Sequence, residues 1–334
     1  MDDSYLNNTA GDQSVAENRR FTRRQVLSMA ALGTVLMAGG FSMTTTGKDV
    51  RDRMSEEFEH QVTPPKFSPY PNKWKQEEVS VAWLGHASFV LNLFGTKIVI
   101  DPALGDRIGV TPLGDYTIGP KRYISAPMRA EELGPIDLLL VSHAHTDHFD
   151  YPTLRKLQSE QTTAITATNT LPLWEGMKFG SVKEMNWGEV NEVSGVTIKA
   201  IEGKHWGARM PWSKGMEANS LLLSKGGVNI FFGADTGYTE RIKEQLAGVP
   251  IDLAIMGIAA YSPKSFEARH ATPEQAWKIA EEIEAKYIIP MHWGTFRLSQ
   301  EPMDEPIKRF RQVAQGQLQK IAIQEVGDTW KLPR

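Results

Sequence analysis

The sequence predicts an α/β fold in which sheets are covered by helices, and three observations carry that expectation. Short runs rich in valine, isoleucine and leucine recur over 80–83, 97–100, 137–141, 196–201, 220–223, 229–232, 252–256 and 286–289, mostly bounded by glycine, proline or aspartate as buried strands are. Amphipathic stretches over 152–159, 239–246, 273–285 and 305–314 alternate with them and read as helices. From residue 79 onward no internal repeat and no second polar linker appears, so 79–334 is expected to form one layered domain.

In chain order, 80–83 runs into Leu84-Gly85-His86 and 97–100 into Asp101-Pro102, turn-forming sequences that stop a strand. The run 137–141 is followed at once by Ser142-His143-Ala144-His145-Thr146-Asp147-His148. The runs 196–201, 229–232 and 286–289 are followed by His205, Asp235 and His292. Of the helices, 273–285 has the clearest start. Thr272 can cap it, Pro273 suits the first helical position, and Gln275 can complete a capping box.

The N-terminal part reads differently. Residues 1–48 form a polar stretch, then Arg19-Arg20-Phe21-Thr22-Arg23-Arg24, then an apolar run from Val26 to Met43. A basic region before an apolar one is the order of an export signal, or of a segment that stays as a membrane tether. The run is interrupted by Gly33, Thr34, Gly39 and Gly40 and falls near the short end of the roughly 17–25 residues a bilayer crossing needs. Thr22-Arg23-Arg24-Gln25-Val26-Leu27 resembles the twin-arginine signal, which implies export to the periplasm. Residues 49–78, with Pro64, Pro65, Pro69 and Pro71, read as an extended lead-in.

Composition narrows the chemistry. Net charge is −3, so no broad basic field marks a nucleic-acid binder. There is no cysteine, so disulfides and thiolate ligands are excluded and any metal must be held by histidine and carboxylate. In extended backbone alternate side chains share a face, so His143 and His145 can reach one ion together; a turn would bring Asp147 and His148 to a neighbouring position. Imidazole and carboxylate suit borderline cations such as zinc. With His205, Asp235 and His292 arriving from other strand ends, the pattern predicts a pocket for two divalent cations.

The H-x-H-x-D-H run with its later His, Asp and His resembles the metallo-β-lactamase superfamily. The resemblance implies an αββα sandwich in which His143, His145 and His205 hold one metal and Asp147, His148 and His292 the other. Asp235 would bridge them, and Asp101 would orient a ligand imidazole from behind. Within that superfamily the chain is similar to the N-acylphosphatidylethanolamine-hydrolysing phospholipase D group. That likeness rests on Trp83-Leu84-Gly85-His86-Ala87, Gly119-Pro120-Lys121-Arg122-Tyr123 and Asp150-Tyr151-Pro152-Thr153. Further on, Ala234-Asp235-Thr236-Gly237-Tyr238 and His292-Trp293-Gly294-Thr295-Phe296 extend it. The chain departs from that group at Glu217-Ala218-Asn219-Ser220, where a Gly-Gly-Trp-like segment is usual.

The expected activity is hydrolysis of a small-molecule or lipid phosphodiester by hydroxide generated at a cation pair ~3.5–4 Å apart, and the lipid alternative implies association with a membrane surface. Asp147 would take a proton beside the nucleophile, and His270 would donate to the leaving oxygen. His86 is placed around the same rim. Trp206, Trp212 and Phe266 are candidates for lining an acyl groove, and Lys121 and Arg122 for meeting a phosphate. The competing readings are a lactonase or other ester or phosphoester hydrolase on the same scaffold, and a catalytically silent metal-binding member. A nuclease would need a basic track. A dinuclear-iron protein of this fold would carry glutamate in place of His145.

Overall fold

The computed structural model describes residues 59–113, 116–210 and 213–333, without the side chains of Pro112 and Leu113. The proposed export segment, the first part of the lead-in and Trp212 lie outside the described residues. Among the described residues no helix is long and apolar enough to cross a membrane.

The valine- and leucine-rich runs form two sheets. The first has the order β15 (Thr329–Lys331), β1 (Val79–Trp83), β2 (Phe89–Leu93), β3 (Thr96–Ile100), β6 (Leu138–Val141), β7 (Thr163–Ala167) and β8 (Ser181–Met185). The second has the order β14 (Tyr287–Met291), β13 (Leu253–Gly257), β12 (Val228–Phe232), β11 (Asn219–Lys225), β10 (Val196–Glu202) and β9 (Val190–Val193). A separate hairpin pairs β4 (Val110–Leu113) with β5 (Tyr116–Ile118). The main helices are α1 (Tyr151–Lys156), α2 (Arg241–Gln245), α3 (Pro273–Glu282) and α4 (Glu305–Val313). The capping box of α3 is present, with Thr272 Oγ1 accepting from Gln275 N and Gln275 Oε1 from Thr272 N.

The runs are continuously apolar because both faces of each sheet are covered. Val81, Leu91, Ile98 and Leu140 of the first sheet share one cluster with Ile198, Leu223, Phe232 and Ile255 of the second. On the outer face of the first sheet, Ala82, Val90, Val99 and Leu139 pack with Leu154 of α1. On the outer face of the second, Phe231, Ala254, Met256 and Ile288 pack with Ile242, Trp277, Ile279 and Phe310 from α2, α3 and α4. Neighbouring residues of one strand therefore serve different layers, and the layers are helix, sheet, sheet, helix. Each fully buried valine, leucine, isoleucine, methionine or phenylalanine among them contributes on the order of 1.5–3 kcal/mol.

Strand direction places the site. β3, β6, β7 and β8 are parallel, and β1, antiparallel to β2, runs with β3. β12, β13 and β14 are parallel, and β10, antiparallel to β11, runs with β12. The C-terminal ends of β1, β3 and β6 thus lie along one edge of the first sheet, and those of β10, β12, β13 and β14 along one edge of the second. At the opposite ends, two-residue turns with φ of 47° and 85° (Phe94-Gly95), 52° and 74° (Ser194-Gly195) and 57° and 80° (Gly226-Gly227) close three hairpins. Positive φ at both central residues suits the twist of the flanking strands.

The lead-in packs on this body. Thr63 N donates to Tyr123 O and Ser125 N to Thr63 O. The His60 ring stacks on Tyr123 with centroids 4.0 Å apart.

Candidate metal centre

Residues from six strand ends converge. His86 follows β1, Asp101 β3, His143 to His148 β6, His205 β10, Asp235 β12 and His292 β14. His86, Asp101, Ala234 and His292 sit at φ of 53°, 43°, 50° and 70°, left-handed conformations that non-glycine residues adopt at a cost. Each lets the chain turn sharply off its strand, so that the residue or its neighbour reaches the site.

Two groups form. His143, His145, His205 and Asp235 have ligand-type atoms all within 4.8 Å of one another, and so do His86, Asp147, His148 and His292. In the first, His145 Nδ1 lies 2.9 Å from His143 Nε2 and 3.2 Å from His205 Nε2. Ligand atoms on a tetrahedral ion with bonds of about 2.0–2.1 Å lie roughly 3.3 Å apart, so this spacing fits a zinc-sized cation. In the second, His292 Nε2 and His148 Nε2 lie 3.4 Å and 3.6 Å from Asp147 Oδ2. Asp235 stands between the groups. Its Oδ2 is 3.7 Å from His205 Nε2 and 3.3 Å from His148 Nε2, and its Oδ1 is 3.1 Å from His292 Nε2.

The outer contacts set which nitrogen faces inward. His143 Nδ1 lies 2.9 Å from Ser142 Oγ, His205 Nδ1 lies 3.0 Å from Arg269 O, and His148 Nδ1 lies 2.7 Å from Asp101 Oδ2. With those outer nitrogens engaged, Nε2 is the nitrogen that each of the three histidines turns towards the centre. Asp101 also accepts from Ser142 N at 2.7 Å and Ser142 Oγ at 2.5 Å, which anchors the start of the histidine loop. Buried His148 Nε2, His292 Nε2 and Asp235 Oδ1 have no hydrogen-bond partner. Orphaned buried polar atoms are costly, and three aimed at one gap are what a cation site leaves behind. The donor set therefore fits divalent ions.

The electrostatics agree. Burial and the neighbouring histidines hold His143 well below the ordinary imidazole range, and burial lowers His145 to about 4. Although burial opposes it, the imidazoliums of His292 and His148 hold Asp235 well below the carboxylate range. Although burial opposes it too, Asp235 and Asp147 raise His292 to about 9. The two carboxylates thus attract positive charge, which protons on histidine supply when a cation does not.

His86 Nε2 lies 2.8 Å from Asp147 Oδ2. His270 reaches the rim, its Nδ1 3.7 Å from Asp235 Oδ2, and burial lowers it to about 4, so it is neutral near pH 7. Trp206 stacks on His205 and meets His145 edge-on, beside the centre. Phe266 lies on a short 3-10 turn that ends two residues before His270. Arg122 departs from expectation. Only 1% exposed, it donates to Ala103 O and Gly105 O and cannot meet a ligand from the surface, and Lys121 Nζ donates to His60 O. Ser142 and the Arg269 carbonyl had no counterpart in the sequence reading.

Residues 96–293 match the family model described as the beta-lactamase superfamily domain, and the chain belongs to that superfamily. Fold, His/Asp groups that could bind metal ions and membership together define a metal-dependent hydrolase. The chain is also similar to an N-acyl-phosphatidylethanolamine-hydrolyzing phospholipase D of Caenorhabditis elegans, 32% identical over 64% of this chain and 63% of that protein. The mitochondrial enzyme of the same description from Saccharomyces cerevisiae is 31% identical over 70% of this chain and 51% of its own length. The match therefore spans less than two thirds of either relative. Among solved structures, a possible metal-dependent hydrolase from Veillonella parvula superposes with a TM-score of 0.62 at 17% identity, covering 75% of this chain and 98% of that one.

Proposed function

We propose that the protein hydrolyses phosphodiester bonds in the manner of a phospholipase D, using two divalent cations of zinc type. The observation that carries this reading is the position of Asp235 between the two histidine groups: its Oδ2 is 3.7 Å from His205 Nε2 of one and 3.3 Å from His148 Nε2 of the other. His143, His145 and His205 would hold one cation, Asp147, His148 and His292 the other, and Asp235 both. Bound there, the cations would polarise the ester and make water acidic enough to attack near neutral pH. The phosphodiester class is supported by the two phospholipase relatives and by shared stretches beyond the ligands, such as Trp83 to Ala87 and His292 to Phe296.

The chain's own residues then have distinct tasks. His86 Nε2, donating to Asp147 Oδ2, fixes the carboxylate that would accept a proton beside the attacked centre. His270, neutral at the rim, offers one N–H to the leaving oxygen, a hydrogen bond with no imidazolium needed. Trp206 closes one side and limits water around His145 and His205. We further propose an exported, periplasmic or membrane-tethered location, supported by Arg23-Arg24 ahead of the apolar run. Fractionation of the full chain and of an Arg23→Lys, Arg24→Lys variant tests it; unchanged distribution would refute the twin-arginine reading.

The test of function is metal content together with hydrolysis of matched lipid phosphodiesters, simple phosphodiesters and lactones. The expected result is about two metals per chain, preference for the lipid phosphodiesters, and loss of activity in His145→Ala. Preference for lactones would move the substrate class while leaving the centre in place, and a fully active His145→Ala protein would refute the centre.

A further inference from the structure

The loop between β6 and α1 reverses the chain while carrying His143, His145, Asp147 and His148, and its own hydrogen bonds are few. His148 N and Phe149 N both donate to His145 O, which makes the tight turn, and α1 begins two residues later behind the Asp150 cap. Two other carbonyls of this loop, Ala144 O and Phe149 O, take no part in that turn. Both are met by one side chain from another part of the fold: Arg209 Nη1 donates to Ala144 O at 3.1 Å and to Phe149 O at 2.8 Å. Its guanidinium lies over the Tyr151 ring at 4.4 Å and the Phe149 ring at 5.4 Å, which fixes its plane. Arg209 belongs to the loop that leaves β10 and carries His205. That loop is closed at its base, where Gly207 N donates to Met216 O and a Cβ on Gly207 would stand 1.9 Å from Glu217 O.

We infer that Arg209 is a positioning residue for metal binding, a clamp between the two ligand-bearing loops. One nitrogen ties down Ala144 and Phe149, which bracket His145, Asp147 and His148, so these ligands keep their separation from each other and from His205. Without it two carbonyls lose their donor and the loop is free to spread. An ammonium could reach the same oxygens but could not lie flat on Tyr151, so lysine should preserve only part of the effect. The inference rests on the proposal that these residues hold cations.

The experiment titrates zinc against a chromophoric chelator with the full wild-type chain, Arg209→Gln and Arg209→Lys, and follows thermal unfolding of each metal-free protein. Arg209→Gln is expected to bind zinc 10–100-fold more weakly, the range seen when partners behind metal ligands are removed, with a smaller loss in Arg209→Lys. A role in packing alone would lower the unfolding temperature and leave zinc affinity within about twofold of wild type, which would overturn the inference. Should Arg209→Gln not fold, Arg209→Lys decides: weaker zinc binding supports the clamp and unchanged binding refutes it. Wild-type protein that bound no zinc would instead refute the metal centre itself.

Discussion

Asp101 Oδ2 lies 2.7 Å from His148 Nδ1, and both side chains are fully buried. The same carboxylate receives Ser142 N and Ser142 Oγ, so one residue after β3 organises the first turn of the histidine loop after β6. Asp101→Asn should therefore act without touching a cation. An amide offers one acceptor oxygen to three donors and sets its NH2 against one of them, so zinc affinity should fall about 10–100-fold. Competition titration checks this; unchanged affinity would show that His148 is held by other means.

Metal binding should release protons. His292, raised to about 9 by Asp235 and Asp147 against the effect of burial, is protonated in the metal-free protein near pH 7, and a ligand imidazole must be neutral. Binding at pH 7 should expel about one proton or more per chain, and apparent affinity should rise as pH increases towards 9. Calorimetry in buffers of different ionisation enthalpy measures the number directly. A value of zero would mean that His292 does not join the centre.

Asp150 offers a separate pH effect. It caps α1, with Oδ2 accepting from Thr153 N and Oγ1, while its buried Oδ1 has no partner. Burial pushes its carboxyl up to about 6. The folded state therefore binds more protons than the unfolded state between roughly pH 4 and 6, so this residue's contribution is favourable below that window and is lost as pH rises through it. Asp150→Asn does not titrate. It should gain on wild type by about 2–3 kcal/mol between pH 4 and 7. Comparing the two proteins cancels the histidines, and parallel denaturation curves across pH would contradict the assignment.

Much of this was legible in the sequence, and the exceptions have physical causes. The His and Asp residues that gather at the centre stood out because each interrupts or follows an apolar run at the end that faces the site. The same rule located β1, β3, β6, β10, β11, β12, β13 and β14 to within a few residues. β7 was not apparent because Thr163–Ala167 sets a single isoleucine, Ile165, among threonine and alanine, whose apolar signal is weak. β8 and β9 lie at sheet edges with exposed, charged positions such as Lys183 and Glu192. β2 is joined to β3 through Phe94-Gly95, a turn of the right geometry that lacks the Asn-Gly signature. Around the centre, Arg269 contributes a backbone carbonyl, which no residue type announces. Arg122 read as a candidate to meet a phosphate because sequence shows charge and not depth; it is buried, with Nε donating to Gly105 O and Nη2 to Ala103 O.

Anomalous diffraction at the zinc edge, on crystals of the zinc-loaded protein, would locate the cations without reference to any substrate. The paired centre predicts two peaks ~3.5–4 Å apart, one ringed by His143, His145 and His205, the other by Asp147, His148 and His292, with Asp235 touching both. A single peak away from these residues, or none, would contradict it.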